Sequence, residues 1–554
     1  MIEPDEDIVE RIREAAARAG FALDDGTPID LEPCRLKDLG DLSSNIALVI
    51  ASKQKAKPRE IAEKIAANLI FATDQYSRVD VAGPGFLNFT IGMKTLYEGL
   101  ARVLEMGTRY GTSDWGGGKK TMVEFVSANP TGPLTIGHGR QAVLGDTVAR
   151  LLEATGHRVT REYYFNNAGR QMRMLGESVR LRAQEILGHA VDFPEDHYQG
   201  EYIRDIARQT LEDEKFKGLG LDDVRPYQQL AEHLIFEDIK KTLTRLGIVF
   251  DVYTNESTFY ETGKVDAVIR DLRAKDLAYD QDGAVWFRLT RFGFSEDRVI
   301  VKSTGEPTYR LPDIAYHKDK MDRGFDLVVD LFGADHIATY PDVLAGMEAL
   351  GYDKSRVKVL IHQFVTLLEG KEKVKMSTRK ANFVTLDELI DQVGADVTRY
   401  FFLNRSMSSH LNFDLTLAKT QSDENPVYYI QYAHARICSI LDHARQEGLD
   451  PEAPADSALL KAPEEIDLVK ILLAFPGTVT RAARRFEPHL IPTYLEEAAT
   501  FYHRFQHAGK VDPRLRVVTQ DRPLASARLA LCRAMRTVLA NGLILLGVAT
   551  PKRM

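Results

Sequence analysis

An uninterrupted strand, loop, helix and second strand occupy the stretch 121–165, and this order limits the fold more than any other part of the 554-residue chain. Residues 121–126 are apolar and β-rich, 129–133 can continue neither a strand nor a helix, and 137–155 place apolar residues at helical spacing. The stretch 157–165 then predicts the second strand. In such a unit the loop and the helix N-terminus lie at the carboxyl edge of a parallel sheet, where free N–H groups and the helix dipole favour a phosphate.

A Gly-His-Gly turn begins the predicted helix. Gly137 and Gly139 lack the side chains that would keep a phosphate from the backbone, and His138 can donate a hydrogen bond to it. Taken alone, the turn is weak evidence, because a histidine in a turn is more often structural or solvated than catalytic. Its significance comes from a second stretch, Val-Lys-Met-Ser-Thr-Arg-Lys-Ala-Asn at 374–382.

Together, the two stretches resemble the signatures of the class I aminoacyl-tRNA synthetases, which are a His-x-Gly-His turn and a Lys-Met-Ser-Lys-Ser-like loop far downstream. The flanking residues, Glu-Phe-Val-Ser-Ala-Asn-Pro at 124–130 and Lys-Met-Ser-Thr-Arg-Lys at 375–380, are similar to those of the arginyl-tRNA synthetase family. The resemblance implies an arginine–tRNA ligase that uses ATP.

Composition is that of an ordinary water-soluble protein of three to four domains, with 44% hydrophobic and 27% charged residues. The net charge of −8 argues mildly against a nucleic-acid partner, although the stretch 369–380 is locally basic. The three cysteines, Cys34, Cys438 and Cys532, are too far apart for a local zinc motif, and their odd number argues against a disulfide framework. Without a secretory signal or a long apolar run, a cytoplasmic protein is expected.

The predicted fold class is α/β, in three parts. Residues 1–107 form a small α/β domain, similar to the additional N-terminal domain of bacterial members of the family, which touches the elbow of the tRNA. Residues 107–119 are glycine-rich and predict a linker. A Rossmann-type parallel-sheet catalytic domain spans 115–420 with an insertion around 171–290, and an all-α helical bundle for the anticodon spans 424–554.

After the insertion the parallel sheet is expected to resume at 284–289 and 299–302, and to continue at 327–331 and 357–363. Because the carboxyl ends of parallel strands meet at one edge, the loops at 127–139, 333–336 and 375–379 can share one site despite their separation in sequence.

Activation of an amino acid requires its carboxylate to attack the α-phosphorus of ATP in line and to release pyrophosphate. Catalysis then depends mainly on positioning and on donors or cations where negative charge develops. The resemblance implies that His138 is catalytic on the α- and β-phosphate side, with Lys375 and Arg379 on the pyrophosphate side. Mg²⁺ is expected with ATP, held chiefly by phosphate oxygens and water, with neither a dedicated metal motif nor a tightly bound cofactor. The expected ATP-binding residues are Pro130, Thr135, Gly137, His138, Gly139, Asp335, His336, Lys375, Met376 and Ser377.

The chain departs from the family signatures at two places. Thr135 stands where the first histidine is common, so that any role needing an imidazole there is in question, although a threonine can still donate a hydrogen bond. In the second signature Thr378 and Arg379 replace Lys-Ser, which moves the second positive charge one position along.

Selection of arginine calls for carboxylates and an aromatic face that match a planar guanidinium fork. By resemblance, Glu124 and Asp313 bind the guanidinium, Tyr309 lines the pocket, and Ser127 and Asn129 hold the α-amino and carboxylate groups. Taken singly, each acid could equally be an ordinary surface or paired carboxylate.

Residues 425–436, Asn-Pro-Val-Tyr-Tyr-Ile-Gln-Tyr-Ala-His-Ala-Arg, resemble the opening of the family's anticodon-binding domain. Aromatic and basic groups can stack splayed-out anticodon bases, although an aromatic at helical spacing is more often part of a core. The tRNA-binding candidates are Asn45, Tyr429, Tyr432 and Arg436.

The expected partners are tRNA(Arg), L-arginine and ATP, with no membrane, and the expected state is a monomer. The resemblance also implies that adenylate formation needs bound tRNA. Two alternatives remain open at this point: a class I synthetase for another amino acid, and a tRNA-binding paralogue that has lost catalysis.

Overall fold

The computed structural model of the protein describes residues 4–21, 23–24, 27, 29–34, 39–71, 75–167, 169–213, 222–370, 372–373 and 384–554. Within these ranges a small N-terminal α/β domain precedes a central parallel sheet flanked by helices, and the remainder of the chain is helical. The predicted α/β, Rossmann-type fold class with a C-terminal helical bundle is confirmed.

The N-terminal domain packs helices against a four-stranded antiparallel sheet. Its elements are α1 (Pro4–Arg18), β1 (Leu31–Pro33), β2 (Leu42–Ser44), α2 (Ile46–Gln54), α3 (Pro58–Ala67), β3 (Tyr76–Ala82), β4 (Phe86–Ile91) and α4 (Met93–Met106). The strand order is β1-β2-β4-β3. Ile8, Ile12 and Ile61 lie on the apolar faces of α1 and α3 and are buried in the core of the domain, as expected of amphipathic helices.

The central domain contains most of the remaining strands. Its elements are β5 (Lys120–Glu124), α5 (Ile136–Ala154), β6 (Arg158–Phe165), α6 (Arg170–Ile186), α7 (Glu201–Glu212), α8 (Arg225–Arg245), β7 (Val252–Asn255), α9 (Ser257–Glu261), α10 (Lys264–Ala274), β8 (Ala278–Gln281), β9 (Ala284–Phe287), β10 (Arg298–Val301), α11 (Arg310–Asp322), β11 (Leu327–Gly333), α12 (Tyr340–Leu350), β12 (Val357–His362), β13 (Val365–Glu369), β14 (Glu372–Lys373), α13 (Leu386–Val393), α14 (Ala395–Leu403), β15 (Leu411–Asp414) and α15 (Leu415–Lys419).

Five of these strands form the parallel sheet, in the order β12-β11-β5-β6-β7. The chain starts at β5 and proceeds to β6 and β7 on one side, and it later adds β11 and β12 on the other side. The strand order therefore reverses between β5 and β11, and the carboxyl ends of these two strands border the crevice where such sheets bind ligands.

Two predictions about the strands are wrong. β7 lies inside the stretch 171–290 that the sequence assigns to an insertion, yet it pairs in parallel with β6 through Glu162 and Val252. The stretches 284–289 and 299–302 do not continue the parallel sheet, because β8, β9 and β10 pair with one another in a separate antiparallel sheet. Short apolar runs carry no information about their partner strands, and a strand of four residues is easily lost between long helices.

The helical region contains five long helices: α16 (Pro426–Gln446), α17 (Pro463–Leu473), α18 (Phe475–Arg485), α19 (Leu490–Val511) and α20 (Arg522–Leu546). By length and composition α20 could cross a membrane, but 67% of its most apolar window is buried inside the protein. Such burial is typical of the core helix of a bundle.

A buried arginine joins the central domain to the end of α20. The Arg399 guanidinium, on α14, pairs with Asp146 of α5 at 2.6 Å and donates to the carbonyls of Leu546 and Leu246 at 2.6 and 2.8 Å. These carbonyls lie at the C-terminal ends of α20 and of α8, where a positive charge is favourable. Arg399 thus connects helix α5 of the central domain with helix α20 of the helical region.

The glycine-rich stretch 107–119 is packed rather than extended. Asn541 of α20 donates to the carbonyls of Gly107 and Tyr110 at 3.0 and 2.8 Å. A Cβ on Gly111 would lie 2.4 Å from the ring of Phe475, so the glycine there permits close contact with α18. The stretch therefore seats the N-terminal domain on the helical region instead of acting as a free linker.

Candidate active site

The start of α5 faces the crevice and carries the Gly-His-Gly turn. Thr135 is the N-cap residue and His138 lies in the first turn, where the N–H of Thr135 donates to Nδ1 of His138 at 3.2 Å. Because Nδ1 is the acceptor, the neutral ring carries its proton on Nε2, which is left as a donor. Burial lowers the pKa of His138 to about 4, although Asp335 opposes the shift. At neutral pH His138 is therefore an uncharged hydrogen-bond donor whose orientation Thr135 sets.

The two glycines of the turn have different surroundings. A Cβ on Gly137 would meet only the Thr135 hydroxyl, at 3.7 Å, so this position is open. A Cβ on Gly139 would lie 2.5 Å from Leu386, and the N–H of Gly139 donates to the carbonyl of Thr135. The missing side chain of Gly139 therefore permits close packing against α13 and its N–H bonds within the helix, while its assignment to the nucleotide stays a prediction.

Arg140, the next residue, ties α5 to the far edge of the sheet. It is buried, and its guanidinium donates to the carbonyls of Gln363, Ser409 and Ser406 at 2.7 to 3.0 Å. Burial lowers the pKa of Arg140 to about 10. These bonds place the junction of β12 and β13, from which the lysine-rich stretch continues, beside the first turn of α5.

His362, at the carboxyl end of β12, is a site residue that the sequence motifs do not indicate. It is buried, its pKa is lowered to about 4 chiefly by burial, and it interacts electrostatically with Arg140, Asp335 and His138. Its position at the end of a parallel strand is the signal that could have indicated it.

Strained backbone follows β5. Val126 and Ser127 have φ values of 66° and 39°, a region of backbone conformation that residues other than glycine rarely adopt. The Ser127 hydroxyl donates to Oε1 of Glu124 at 2.8 Å and accepts from the N–H of Tyr164 at 3.1 Å. These two bonds hold the turn, whose conformation directs the following residues into the crevice.

Glu124 has an internal cationic partner. It is only 3% exposed, and its Oε2 lies 2.5 Å from Nζ of Lys320 on α11. The same ammonium lies 2.6 Å from Oδ1 of Asp330 on β11. Burial raises the pKa of Glu124 against the attraction of Lys320, whereas at Asp330 the attraction of Lys320 and His317 outweighs burial and lowers the pKa. The sequence does not anticipate this pairing, and the assignment of Glu124 to the guanidinium stays a prediction.

Asp313 lies in the first turn of α11, and among the described residues its carboxylate has no hydrogen bond or ion pair. Burial raises its pKa to about 7, opposed by His317 and reinforced by Glu256 and Glu124. Tyr309, the N-cap residue of the same helix, is 76% exposed at the mouth of the crevice.

Glu256 is the second site residue absent from the sequence interpretation. It directly follows β7 and is buried, and its carboxylate accepts a hydrogen bond from Tyr260 at 3.4 Å. Burial raises its pKa. Its position directly after a parallel strand could have indicated it, but β7 falls in the stretch that the sequence assigns to an insertion.

Of the remaining predicted residues of the pocket, the structure describes only some. Asn129 is exposed and donates to Gln171 at 2.6 Å, and Pro130 is buried. Asp335 and His336 form a short helical turn after β11. Lys375, Met376, Ser377 and Arg379 lie outside the described residues.

The tRNA-binding candidates lie at the two ends of the chain. Asn45 is exposed at the start of α2. On α16, Tyr432 and Arg436 are exposed, and Tyr429 packs on His503 with ring centroids 4.4 Å apart. Arg436 also borders a cavity of about 340 Å³ between α16 and α19, whose rim carries three further basic residues, His443, Lys510 and Arg516.

Comparison with known protein families covers nearly the whole chain. Residues 100–406 match the catalytic domain of the class I (R) tRNA synthetases, 430–554 match the DALR anticodon binding domain, and 6–91 match the arginyl tRNA synthetase N-terminal domain. The parallel sheet with its crevice and nucleotide turn, followed by that helical domain, defines a class I aminoacyl-tRNA synthetase.

The arginine–tRNA ligase of Desulfotalea psychrophila is 54% identical over 517 residues, which is 93% of each chain, and that of Salinibacter ruber is 50% identical over 98% of this chain and 99% of the relative. The chain belongs to the arginyl-tRNA synthetase family. The solved Thermus thermophilus arginyl-tRNA synthetase matches with a TM-score of 0.80 and 22% identity over 100% of both chains, which shows the same fold.

Proposed function

We propose that the protein joins L-arginine to tRNA(Arg) in two steps: it activates arginine with ATP and transfers the arginyl group to the 3′ end of the tRNA. The observation that carries this proposal is the acidic recess at the start of α11, where among the described residues the Asp313 carboxylate has no ion pair and is close enough to Glu256 and Glu124 to feel their charge. A half-buried carboxylate without an ion-pair partner among the described residues fits a cationic substrate. A non-catalytic paralogue would have no need to maintain such a costly group.

Arginine recognition is assigned to the carboxylates around α11. Within the part of the chain that the structure describes, Asp313 and Glu256 are the acids of the recess that form no ion pair, and they accept the guanidinium fork. Glu124 also contributes to the acidic recess, although one of its carboxylate oxygens is already bound to the Lys320 ammonium. Tyr309 covers the bound side chain from the mouth of the crevice, and Ser127 and Asn129 hold the α-amino and carboxylate groups.

In the activation step the arginine carboxylate attacks the α-phosphorus of ATP, an oxygen–phosphorus bond forms, and pyrophosphate leaves with the electrons of the bond that breaks. His138 donates from Nε2 to the α- and β-phosphate oxygens, and free N–H groups at the start of α5 add to it. Pro130, Thr135, Gly137, Asp335 and His336 border the nucleotide. Lys375 and Arg379, with Met376 and Ser377 between them, serve the pyrophosphate.

ATP is a substrate and leaves as AMP and pyrophosphate. The Mg²⁺ that accompanies ATP is held chiefly by phosphate oxygens and water. The positive charge of Mg²⁺ offsets the negative charge of the triphosphate. Among the described residues, no group of three or more acidic, histidine or cysteine residues could hold a metal ion.

The pH dependence of arginine binding tests the role of Asp313. Its pKa of about 7 in the free protein means that it is half protonated at neutral pH. A guanidinium stabilises the ionised form, so the KM for arginine should rise by up to about tenfold per pH unit as the pH falls below 7, and should level off above 8. Arginine titrations between pH 5.5 and 8.5 measure this, with the KM for ATP as the control. A flat arginine profile would exclude Asp313 as the acceptor.

The helical domain is assigned to the anticodon. Tyr429, Tyr432 and Arg436 on α16 offer stacking faces and a cation, and the basic cavity next to Arg436 could receive a splayed-out base. Asn45 serves the elbow of the tRNA from the N-terminal domain. We also propose that the enzyme acts as a monomer in the cytoplasm, where the tRNA is used.

Arg436→Ala should raise the KM for tRNA about tenfold and leave the KM for arginine unchanged, because one exposed cation at an RNA surface is lost. Arg445→Ala is the matched control, since Arg445 is exposed on the same helix but pairs with Asp442 and does not line the cavity. Steady-state aminoacylation with varied tRNA distinguishes the two. Equal effects of both substitutions would refute the assignment of Arg436.

A charging assay with total tRNA and each of the twenty amino acids tests the function as a whole. Arginine alone should be esterified to tRNA, with ATP consumed. Charging with another amino acid would indicate a different class I synthetase, and tRNA binding without charging would indicate the non-catalytic alternative.

A further inference from the structure

We propose that Lys320 is a positioning residue of the arginine site, whose buried ammonium holds together the two walls of the acidic recess. This inference rests on the proposed function, because it concerns how the same site binds arginine. Lys320 belongs to neither signature and is assigned no role by the resemblance.

Lys320 is fully buried, with a side-chain exposure of 0%, and its ammonium has three partners. Nζ lies 2.5 Å from Oε2 of Glu124 and 2.6 Å from Oδ1 of Asp330, and it sits over the ring of Tyr316 at 4.3 Å from the centroid. Burial alone would lower the pKa of Lys320, but the carboxylates of Asp330 and Glu124 raise it instead. The side chain is therefore a permanent internal cation between two strands of the sheet.

Hydrogen bonds lead from each carboxylate to one wall of the recess. On the β5 side, Glu124 accepts from Ser127, which is part of the strained turn. On the α11 side, Asp330 lies 3.0 Å from Nε2 of His317, and Nδ1 of His317 lies 2.8 Å from the carbonyl of Asp313. The ammonium thus connects the turn that precedes Asn129 with the helix start that carries Asp313.

The spacing of three residues on α11 explains how the Lys320 ammonium can influence the position of Asp313. Asp313, His317 and Lys320 are separated by four and three residues, so they lie along one face of the helix. Asp313 is at the end that faces the crevice, and Lys320 lies two turns below it. Removal of the ammonium would leave the buried carboxylates of Glu124 and Asp330 less than about 6 Å apart without the cation between them, and such a pair must separate or take up a proton.

Loss of the Lys320 ammonium is expected to weaken the binding of arginine and to spare the binding of ATP. The ATP side of the crevice is formed by α5, and its contacts to Gln363, Ser406 and Ser409 run through Arg140 instead of through Lys320. Loss of the ammonium should therefore disturb Ser127 and Asp313 while the start of α5 remains in place. A substitution that only destabilised the fold would change the KM values for arginine and for ATP alike.

Lys320→Met, which keeps the length of the side chain and removes its charge, tests the proposal in the full-length enzyme. We expect the KM for arginine to rise about 100-fold while the KM for ATP stays within about threefold of the wild-type value. The KM for arginine should also level off at a higher pH than in the wild type, because Glu124 and Asp313 lose a nearby positive charge.

Arg323→Met is the matched control. Arg323 is the C-cap residue of the same helix and pairs with the buried Glu162 of β6 at 2.6 Å, so its loss also breaks a partly buried ion pair. It should lower the melting temperature without changing the KM for arginine by more than about threefold, since none of its bonds reaches Ser127 or Asp313.

If Lys320→Met does not fold, Lys320→Met combined with Asp330→Asn removes one carboxylate together with the ammonium, and the same separation of the two KM values is expected. A folded variant whose KM for arginine is near that of the wild type, or whose KM values for arginine and ATP rise equally, overturns the proposal. Failure of the proposed function would be seen separately, as absence of arginine charging by the wild-type enzyme.

Discussion

Asp313→Asn should lower kcat/KM for arginine about 1,000-fold and leave the KM for ATP within about threefold of the wild-type value. The substitution is nearly isosteric, but it replaces an anionic acceptor by a neutral amide whose NH₂ group faces the NH₂ groups of the substrate. Among the described residues Asp313 has no hydrogen bond or ion pair of its side chain, so the substitution breaks no internal contact. The loss should therefore appear in arginine binding rather than in folding.

Asp319→Asn is the control for this experiment. Asp319 lies on the same helix but is paired with Lys264 at 2.6 Å, away from the recess. Asp319 is half-buried and also pairs with Arg323 at 3.1 Å, so the substitution should lower the unfolding free energy by about 1 kcal/mol while both KM values stay unchanged. Steady-state aminoacylation with varied arginine, alongside thermal unfolding, separates the two variants. An arginine KM for Asp313→Asn close to that of the wild type would remove Asp313 from the guanidinium site.

His138→Asn should reduce kcat about 100-fold with little change in the KM for arginine, because it removes one donor placed where charge develops on the phosphates. An asparagine oxygen occupies nearly the position of Nδ1 and can still accept from the N–H of Thr135, so the helix cap is kept. The donor at Nε2 is lost. Since the pKa of His138 is lowered to about 4, its contribution should be constant between pH 6 and 8.

The matched control is Asp521→Ala, which removes the side-chain cap of α20 at its bond with the N–H of Leu524. It should cost about 1 kcal/mol of unfolding free energy without loss of kcat. Pyrophosphate exchange or single-turnover activation with tRNA present measures the chemical step for both variants. A kcat for His138→Asn near the wild-type value would exclude a role for His138 in stabilising the transition state.

Much of the fold could be predicted from the sequence because its signals are local. The stretch 121–165 has the order strand, loop, helix, strand, and it folds as β5, α5 and β6. The stretches 327–331 and 357–363 likewise correspond to β11 and β12. In each case the segment itself contains the apolar periodicity and the loop residues that end a strand or helix. Tertiary contacts then reinforce this local preference for secondary structure.

The strand pairings and the details of the site were less predictable. β7 and the sheet of β8, β9 and β10 are defined by their partners, which a short apolar run does not specify. The packing of Gly139 on Leu386 was not predicted, because it depends on α13, a distant part of the chain. The roles of the pocket residues, and of Lys375 and Arg379, stay predictions.

By itself the sequence determined the class of enzyme, since two signatures and their flanking residues are sufficient for that, and it predicted where the site lies. Only the tertiary structure decided the electrostatics of that site. Lys320 lies far from Glu124 along the chain, and their contact depends on α11 packing across β5 and β11. Charge pairs of this kind depend on distances of a few ångströms between separate elements, and such distances arise only when the sheet and its helices are assembled.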